Sequence, residues 1–252
     1  MKISVVTVCF NAERTIAHTV ESFLAQDHPY KDLLVIDGAS RDGTLRVLER
    51  FADPRITVRS ERDRGLYDAM NKGLRLFSGD AVGFLNADDR YCDKAALSAI
   101  AEALAKADMV SGDLDFVTDH AEGRVLRRWR GTSYAKGGFR RGWMPAHPTF
   151  YMRRRVAEAV GEFDLAFRIA ADYDYMLRAY ELQAFTSAHI GRVLVHMMAG
   201  GESTAGLKSY VKSNIESLRS RRRWLGAGFV DYALVAKPLR KLGQFAVRSS
   251  TG

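Results

Sequence analysis

An α/β fold around a mostly parallel central sheet, with helices on both faces, is the architecture this sequence predicts. Three observations point to it. Strand-like and helix-like stretches alternate through the first hundred residues in units of about 25–30 residues. Acidic residues stand at the ends of three successive strand patterns, at Asp37, Asp63 and Asp88-Asp89. The composition is globular, since 47% hydrophobic, 27% charged and only 5 Pro in 252 residues exclude a disordered or collagen-like chain. That length suits one large domain, or one domain with a small appendage.

Each element has its own signal. Ile3–Cys9 is a β-branched run bounded by a polar turn, and residues 15–26 carry helical spacing with Ile16, Val20, Phe23 and Leu24 on one face. Leu33-Leu34-Val35-Ile36 is a short continuous apolar run, as expected of a strand buried on both faces. Ser40-Arg41-Asp42-Gly43 is turn chemistry leading into a helix through Leu45, Val47, Leu48 and Phe51. A third strand is expected at 56–59, a third helix at 66–77 and a fourth strand at 81–85. After residue 105 the rhythm changes. Strands are expected at 109–117, 124–129 and 149–152, a helix at 173–180 and a last extended segment at 185–196. Residues 131–144, rich in Gly and Arg, are expected to form a mobile loop.

The apolar start runs straight into Asn11-Ala12-Glu13-Arg14 with no small-residue cleavage site behind it, so a first strand is expected there, not a secretion signal. No run of about 18 apolar residues occurs, and no spanning helix is expected. Cys9 and Cys92 are too few and too scattered for a disulfide framework or a thiolate metal site, which suits a reducing compartment.

The net charge of +8 is uneven. Residues 206–252 hold ten basic side chains (Lys208, Lys212, Arg219, Arg221, Arg222, Arg223, Lys237, Arg240, Lys241 and Arg248) against Glu216 and Asp231, which leaves 28 basic and 28 acidic residues in 1–205. The basicity belongs to the tail and not to the main body, so no nucleic-acid partner is expected. A domain of residues 1–205 and a basic helical extension of 206–252 follow from this division. In the extension, 207–225 reads as an amphipathic helix with Leu207, Tyr210, Val211, Ile215 and Leu218 on one side and basic residues ahead of Trp224. Two readings stay open for it: a peripheral anchor on an anionic membrane, or a helix packed on the domain with its basic residues in water.

In an open parallel sheet, ligands bind beyond the carboxyl ends of the strands. One such Asp is commonly a helix cap. Three at successive strand ends converge on one rim, where they repel unless a cation or donors compensate. Asp88-Asp89 is the natural hard-metal site, because Mg²⁺ or Mn²⁺ is held by one or two carboxylates plus substrate phosphates.

The residues then match a family. Ser4-Val5-Val6-Thr7-Val8-Cys9-Phe10-Asn11, Val35-Ile36-Asp37-Gly38-Ala39-Ser40, Asp42-Gly43-Thr44 and Asp63-Arg64-Gly65-Leu66-Tyr67-Asp68-Ala69-Met70-Asn71-Lys72-Gly73 resemble family 2 glycosyltransferases of the GT-A fold. Bacterial enzymes building exopolysaccharide, O-antigen or glycolipid saccharides look most similar. Phe84-Leu85-Asn86-Ala87-Asp88-Asp89 resembles that family's DXD-type motif, Ala170-Ala171-Asp172-Tyr173-Asp174 its "ED" region, and Gly200-Gly201-Glu202-Ser203 its Gly-Gly-x-Ser segment. The likeness covers residues 2–205, with the motifs in family order.

The resemblance implies an inverting, metal-dependent transferase. Its donor is a nucleoside-diphosphate sugar, with uracil as the default base and guanine or thymine as alternatives. The acceptor is a saccharide or lipid-linked hydroxyl on the cytoplasmic side of the membrane. It places Thr7, Asn11 and Glu13 near the nucleotide and gives Asp37 the reading of the base. Asp63, Gly65, Asp68 and Asn71 would shape the sugar-nucleotide pocket. Asn86 and Asp88 would stand on the donor side, Asp89 and Asp88 would hold Mn²⁺ or Mg²⁺, and Asp172 would be the general base. Two departures stand out: Asn86 replaces the first Asp of the DXD-type motif, and Ala171 replaces the Glu of the "ED" pair. Asp174 is the alternative base if the register differs, and Asp172 has a competing reading as a helix cap.

His147, between Pro145 and Pro148, and His196, ending the last extended segment, have functional readings at the acceptor and at the metal. Each also has a purely structural one. Arg127, Arg128, Arg130, Arg140 and Arg141 could clamp a diphosphate or form a solvated basic face. Two rival functions remain. A sugar-phosphate nucleotidyltransferase would carry a Gly-rich loop after the first strand, and Phe10-Asn11-Ala12-Glu13-Arg14 has no glycine. A catalytically silent nucleotide-sugar-binding partner in a membrane assembly fits the two altered motif positions.

Overall fold

The computed structural model describes residues 1–118, 124–199 and 207–226. The Gly-Gly-Glu-Ser segment and the chain after Gly226 lie outside the described residues, so the readings that rest on them have no structural counterpart below. Among the described residues, one nine-stranded sheet runs through the fold. Its parallel half is β3 (Ile56–Ser60), β2 (Lys31–Asp37), β1 (Ile3–Cys9) and β4 (Ala81–Phe84), in that order. Beyond β4 the sheet turns mixed. β8 (Tyr151–Arg153) is antiparallel to both β4 and β6 (Met109–Val117), and β7 (Val125–Trp129) is antiparallel to β6. β9 (Ser187–Met198) runs parallel to β6 and antiparallel to the two-residue β5 (Arg90–Tyr91). The early strand–helix rhythm therefore marks the parallel half, and its change after residue 105 marks the passage to the mixed half.

Alternation along β1 sorts the core into two layers. Ile3, Val5 and Cys9 face α1 (Ile16–Leu24) and α4 (Ala96–Leu104), with Phe23, Leu97 and Leu104 fully buried against them. Val6 and Val8 face the opposite layer, made by α3 (Leu66–Leu76), α5 (Arg154–Val160) and α6 (Ala171–Glu181). The short α2 (Thr44–Leu48) covers the edge near β2 through Leu48. Helices on both faces explain why β1 is buried along all seven residues and why its sequence is apolar throughout.

The segment 131–144 is not the loose loop expected of its Gly and Arg content. Phe139 is fully buried, and Trp143 packs on Phe139, Tyr134 and Tyr180 with ring centroids 5.1–5.5 Å apart. Its backbone is tied as well, since Gly137 and Phe139 donate their N–H groups to the Glu181 carboxylate at 3.2 and 3.0 Å. Tyr180 and Glu181 of α6 complete this anchoring, and the local sequence could not reveal those distant partners.

The last described helix, α7 (Leu207–Leu225), packs on the domain. The face turned inward is polar. Glu216, Ser217, Ser220 and Arg221 are buried, while Val211 and Ile215, expected on the docking side of an amphipathic helix, are 49% and 62% exposed. Hydrogen bonds hold this face. The Ser220 hydroxyl and the Trp224 indole donate to Asp174 Oδ1 at 2.8 and 2.9 Å, and Arg221 donates to the Tyr173 hydroxyl at 2.9 Å. No helix among the described residues is long and apolar enough to cross a membrane.

If the 131–144 segment is a built part of the core, Trp143→Ala should cost about 3–5 kcal/mol of folding stability in denaturant titration. A loss within about 0.5 kcal/mol would show that the segment is only draped on the surface.

Candidate functional site

A cleft of about 500 Å³ opens beyond the carboxyl ends of β1 and β2, between Cys9, Phe10, Gly38, Asp63, Gly65 and Leu66. Its position follows from the parallel half of the sheet, whose strands all end on this rim. Phe10 is 59% exposed at the mouth. Gly38 is required by close approach, because a Cβ there would meet Asp63 Oδ2 at 2.5 Å. Gly65 sits at φ +115°, a backbone conformation that side chains rarely adopt, just ahead of α3. Its N–H donates to Asp63 Oδ1 at 2.8 Å, which turns that carboxylate toward the cleft wall. Asp63 and Gly65 both line the cleft.

Asp37, at the end of β2, is fully buried and already engaged. Oδ1 accepts from the Ser40 hydroxyl at 2.5 Å and the Cys9 thiol at 3.6 Å. Oδ2 accepts from the Ser40 N–H at 3.0 Å and the Ser60 hydroxyl at 2.6 Å. With both oxygens occupied, Asp37 anchors the cleft floor, and a base could reach it only by displacing one of these hydroxyls. Burial pushes the Cys9 thiol up, with Asp37 adding to the effect, which disfavours its thiolate.

Several expected pocket residues turn out to brace the pocket. Thr7 lies inside β1, fully buried, on the sheet face shared with Val5 and Cys9; it does not reach the rim. Asn11, at φ +52°, accepts the Arg41 N–H at 2.9 Å, and Glu13 accepts the Gly43 N–H at 2.9 Å. These two bonds lace the loop after β1 to the loop after β2. Asp68 reaches back to the Arg64 N–H at 3.0 Å and pairs with the Arg64 guanidinium at 2.8 Å, a hydrogen bond that holds its carboxyl below the usual range. Asn71 is 1% exposed, and its amide makes two bonds to the Phe163 backbone at 3.0 and 2.8 Å. Its partner is 92 residues away, so a role that looks like substrate binding in the motif is a clasp between α3 and the segment before α6.

The turn after β4 presents Asn86, Asp88 and Asp89. The Thr19 hydroxyl on α1 donates to the carbonyls of Asp89 at 2.7 Å and Asn86 at 3.3 Å, and the Asp89 N–H closes on the Asn86 carbonyl at 3.0 Å. Asp89 is fully buried. Its Oδ2 accepts from the Asn86 amide at 3.1 Å and the Met198 backbone also bears on the carboxyl, while Asp89 Oδ1 and Asn86 Oδ1 have no close hydrogen-bond partner among the described residues. Burial above all, and then the neighbouring charge of Asp88, raise Asp89 well above the usual carboxylate range. No three His, Cys, Asp or Glu side chains gather into a ready-made cage among the described residues. Two adjacent carboxylates with orphaned oxygens beside them fit a hard divalent cation that brings phosphate oxygens as its remaining ligands. His196 is in register with Arg90 on β5, the residue after Asp89, and with Asp115 on β6.

Of the two candidate bases, Asp174 is turned toward the protein interior. It is fully buried, paired with Arg178 at 2.9 Å and hydrogen-bonded to Ser220 and Trp224, so it faces α7. Asp172, in the first turn of α6, is half-buried, and its Oδ1 accepts from the Tyr67 hydroxyl at 3.3 Å. Tyr67 belongs to α3, whose first turn borders the cleft. His147 joins this group: its ring stacks on Phe84 at 5.7 Å, at the end of β4. Burial lowers the imidazole below its ordinary 6.5, and the charge of Asp172 opposes that shift. The middle arginines are engaged within the protein: Arg127 lies over the Phe116 ring at 3.7 Å, Arg128 and Arg130 pair with Asp115, and Arg140 and Arg141 donate to backbone carbonyls.

Three residues at the site carried no assignment in the sequence reading: Phe10, Tyr67 and Glu216. Phe10 and Tyr67 lie inside quoted motifs, where an aromatic reads as core. Glu216 had a signal, being the single acidic residue of an otherwise basic helix.

The model of the family described as "Glycosyl transferase family 2" matches residues 4–161. An uncharacterised glycosyltransferase of Mycobacterium tuberculosis is 35% identical over 181 residues, covering 70% of this chain and 68% of the relative. Among solved structures, Staphylococcus aureus TarS 1–349 in complex with UDP-GlcNAc superposes with a TM-score of 0.69 at 19% identity, over 93% of this chain and 69% of that one. A mannosyltransferase of Pyrobaculum calidifontis, PcManGT in complex with GDP-Man and Mn²⁺, gives 0.65 at 18% identity, over 99% and 76%. These two likenesses are likenesses of fold, and that fold is GT-A.

The His147–Asp172 pairing is open to direct measurement. Below pH 6.5 the unfolded chain takes up the His147 proton while the folded chain resists it, so this group alone lowers stability as pH falls. In ligand-free protein, NMR titration of the His147 ring, assigned through His147→Asn, should give a midpoint below 6.5. Asp172→Asn should move it lower still. A midpoint at or above 6.5, or one indifferent to Asp172, would contradict the geometry.

Proposed function

The chain belongs to glycosyl transferase family 2, and from that premise we propose that it moves a sugar from a nucleoside-diphosphate sugar to a hydroxyl of a saccharide or lipid-linked acceptor, with inversion at the transferred carbon. The observation that carries the reading is the pairing of two unlike carboxylate sites at one end of the sheet. Asp89 has a buried oxygen with no hydrogen-bond partner among the described residues, next to the orphaned Asn86 Oδ1, and Asp172 is met by Tyr67 of α3, whose first turn borders the cleft. The same fold holds UDP-GlcNAc in one solved neighbour and GDP-Man with Mn²⁺ in another.

In this reading the base rests on the Phe10 ring, with uracil the preferred fit, and the ribose lies along Gly38 and Asp63. The diphosphate points toward the 86–89 turn. Asp89 and Asp88 are the residues that would hold Mn²⁺ or Mg²⁺, with Asn86 Oδ1 beside them. When bound, the cation supplies charge neutralisation for the departing phosphates. Asp172 takes the proton of the acceptor hydroxyl as its oxygen forms a bond to the anomeric carbon. The bond from that carbon to the phosphate oxygen breaks on the opposite face, and its electron pair leaves with the nucleoside diphosphate. Tyr67 keeps Asp172 oriented, and burial disfavours a proton on the His147 imidazole, so it competes less for the acceptor's proton.

The membrane surface is the second element of the proposal. Val211 and Ile215 stand exposed on α7 beside the exposed Lys212, Arg219 and Arg223, an apolar and basic pairing suited to anionic headgroups.

Calorimetry with UDP, GDP and TDP, each with and without Mn²⁺, should show one nucleotide binding tightly only with the metal, and Asp89→Ala should lose that binding. Asp172→Asn should keep the binding and lose turnover by about 10²–10⁴-fold. Metal-independent binding, or a normal rate in Asp172→Asn, would sink the corresponding role, and turnover with any donor removes the silent-partner alternative. The protein should co-sediment with phosphatidylglycerol vesicles and less so as Ile215→Glu, whereas equal affinity for neutral vesicles would remove the anionic surface.

A further inference from the structure

The N-terminus of α6 carries the residue proposed as base, and nothing on α6 itself caps it. Its N-cap position is Ala170, which has no side chain able to accept a hydrogen bond. The N–H groups at a helix start have no partner inside the helix and favour a negative charge nearby. Here the charge comes from another helix. Glu216 of α7, 9% exposed, accepts from the N–H groups of Arg168 at 3.1 and 3.2 Å, Ile169 at 2.8 Å and Ala170 at 3.0 Å.

From this loop the contacts run directly to the base. The Tyr67 hydroxyl donates its one proton mainly to the Ile169 carbonyl at 2.7 Å and shares it, at the longer 3.3 Å, with Asp172 Oδ1. Glu216 therefore holds the backbone that holds Tyr67, and Tyr67 holds the carboxylate. Residues 216, 220 and 224 are four apart, so they form one stripe on α7, and each reaches α6 or the loop leading into it. Ser220 and Trp224 bind Asp174, two residues beyond Asp172 and turned away from the cleft.

We propose that Glu216 is a positioning residue for catalysis: it fixes the 168–170 backbone from α7, and through Tyr67 it sets the orientation of Asp172. This inference rests on the reading of Asp172 as base. A loop set free at this point displaces the carboxylate from the acceptor hydroxyl without touching the nucleotide cleft. A shift of 1 Å in such a group can cost about 10²-fold in rate.

The test is steady-state kinetics of the full chain with separate donor and acceptor titrations. Glu216→Ala should lower kcat by about 10- to 100-fold with donor KM and calorimetric nucleotide affinity within about twofold of the parent. Glu216→Gln, which keeps one acceptor oxygen, should recover part of that loss. Ser220→Ala removes a neighbouring α7–α6 bond that does not lead to Asp172, so it should lower the melting temperature while kcat stays within about twofold. Equal kcat losses in Glu216→Ala and Ser220→Ala would reduce Glu216 to a stabilising contact, and unchanged kcat in Glu216→Ala would overturn the proposal. If Glu216→Ala fails to fold, Glu216→Asp, one methylene too short to span the same three N–H groups, takes its place with the same criterion. Asp172→Asn is measured alongside. A normal rate there refutes the base assignment itself, whereas its loss together with a normal Glu216 variant refutes only the positioning role.

Discussion

Carboxylates gathered at one end of a parallel sheet repel one another, and the organisation of this molecule follows from how each is answered. Asp37 is satisfied by two serines, a backbone N–H and a thiol, which lets it sit fully buried under the cleft. Asp63 is turned by the Gly65 N–H, and Asp68 is neutralised by Arg64. Asp174 is matched by Arg178 and by two donors from α7. Asp89, fully buried, keeps one oxygen without a hydrogen-bond partner among the described residues. An unsatisfied buried charge is costly unless a ligand completes it.

The same sorting shows how much was legible in the sequence. The strand–helix rhythm disclosed the parallel half of the sheet and, with it, the rim on which Asp37, Asp63 and Asp88-Asp89 meet. Local spacing could not say which polar residues on that rim are spent on the protein itself. Asn71 looks like a binding residue until Phe163 is found across from it, and Thr7 belongs to a motif while its side chain is inside the sheet. Asp172 and Asp174, two residues apart on one helix, point to different neighbours, and only the presence of α7 decides between them. Long-range partners made these distinctions, and a single sequence carries no record of them.

The helix α7 reverses the usual rule of helix docking. An amphipathic helix is expected to bury its apolar stripe, yet here a stripe containing Glu216, Ser220 and Arg221 goes inward and Val211 and Ile215 stay in contact with solvent. A polar seam is directional in a way an apolar one is not. Each of its bonds has a single geometry, so the helix can sit against α6 in one register and one rotation only. That rigidity suits the positioning role proposed for Glu216.

Charge and motif order place a natural seam at residue 205, and a protein engineer would cut there to obtain a minimal enzyme or to graft tails between relatives. Such a product keeps every family motif and still exposes the Arg168–Ala170 N–H groups, the Asp174 carboxylate and the Tyr173 hydroxyl that α7 covers. The exchangeable unit is therefore α6 together with α7, and chimeras drawn at helix boundaries should carry the two as a matched set.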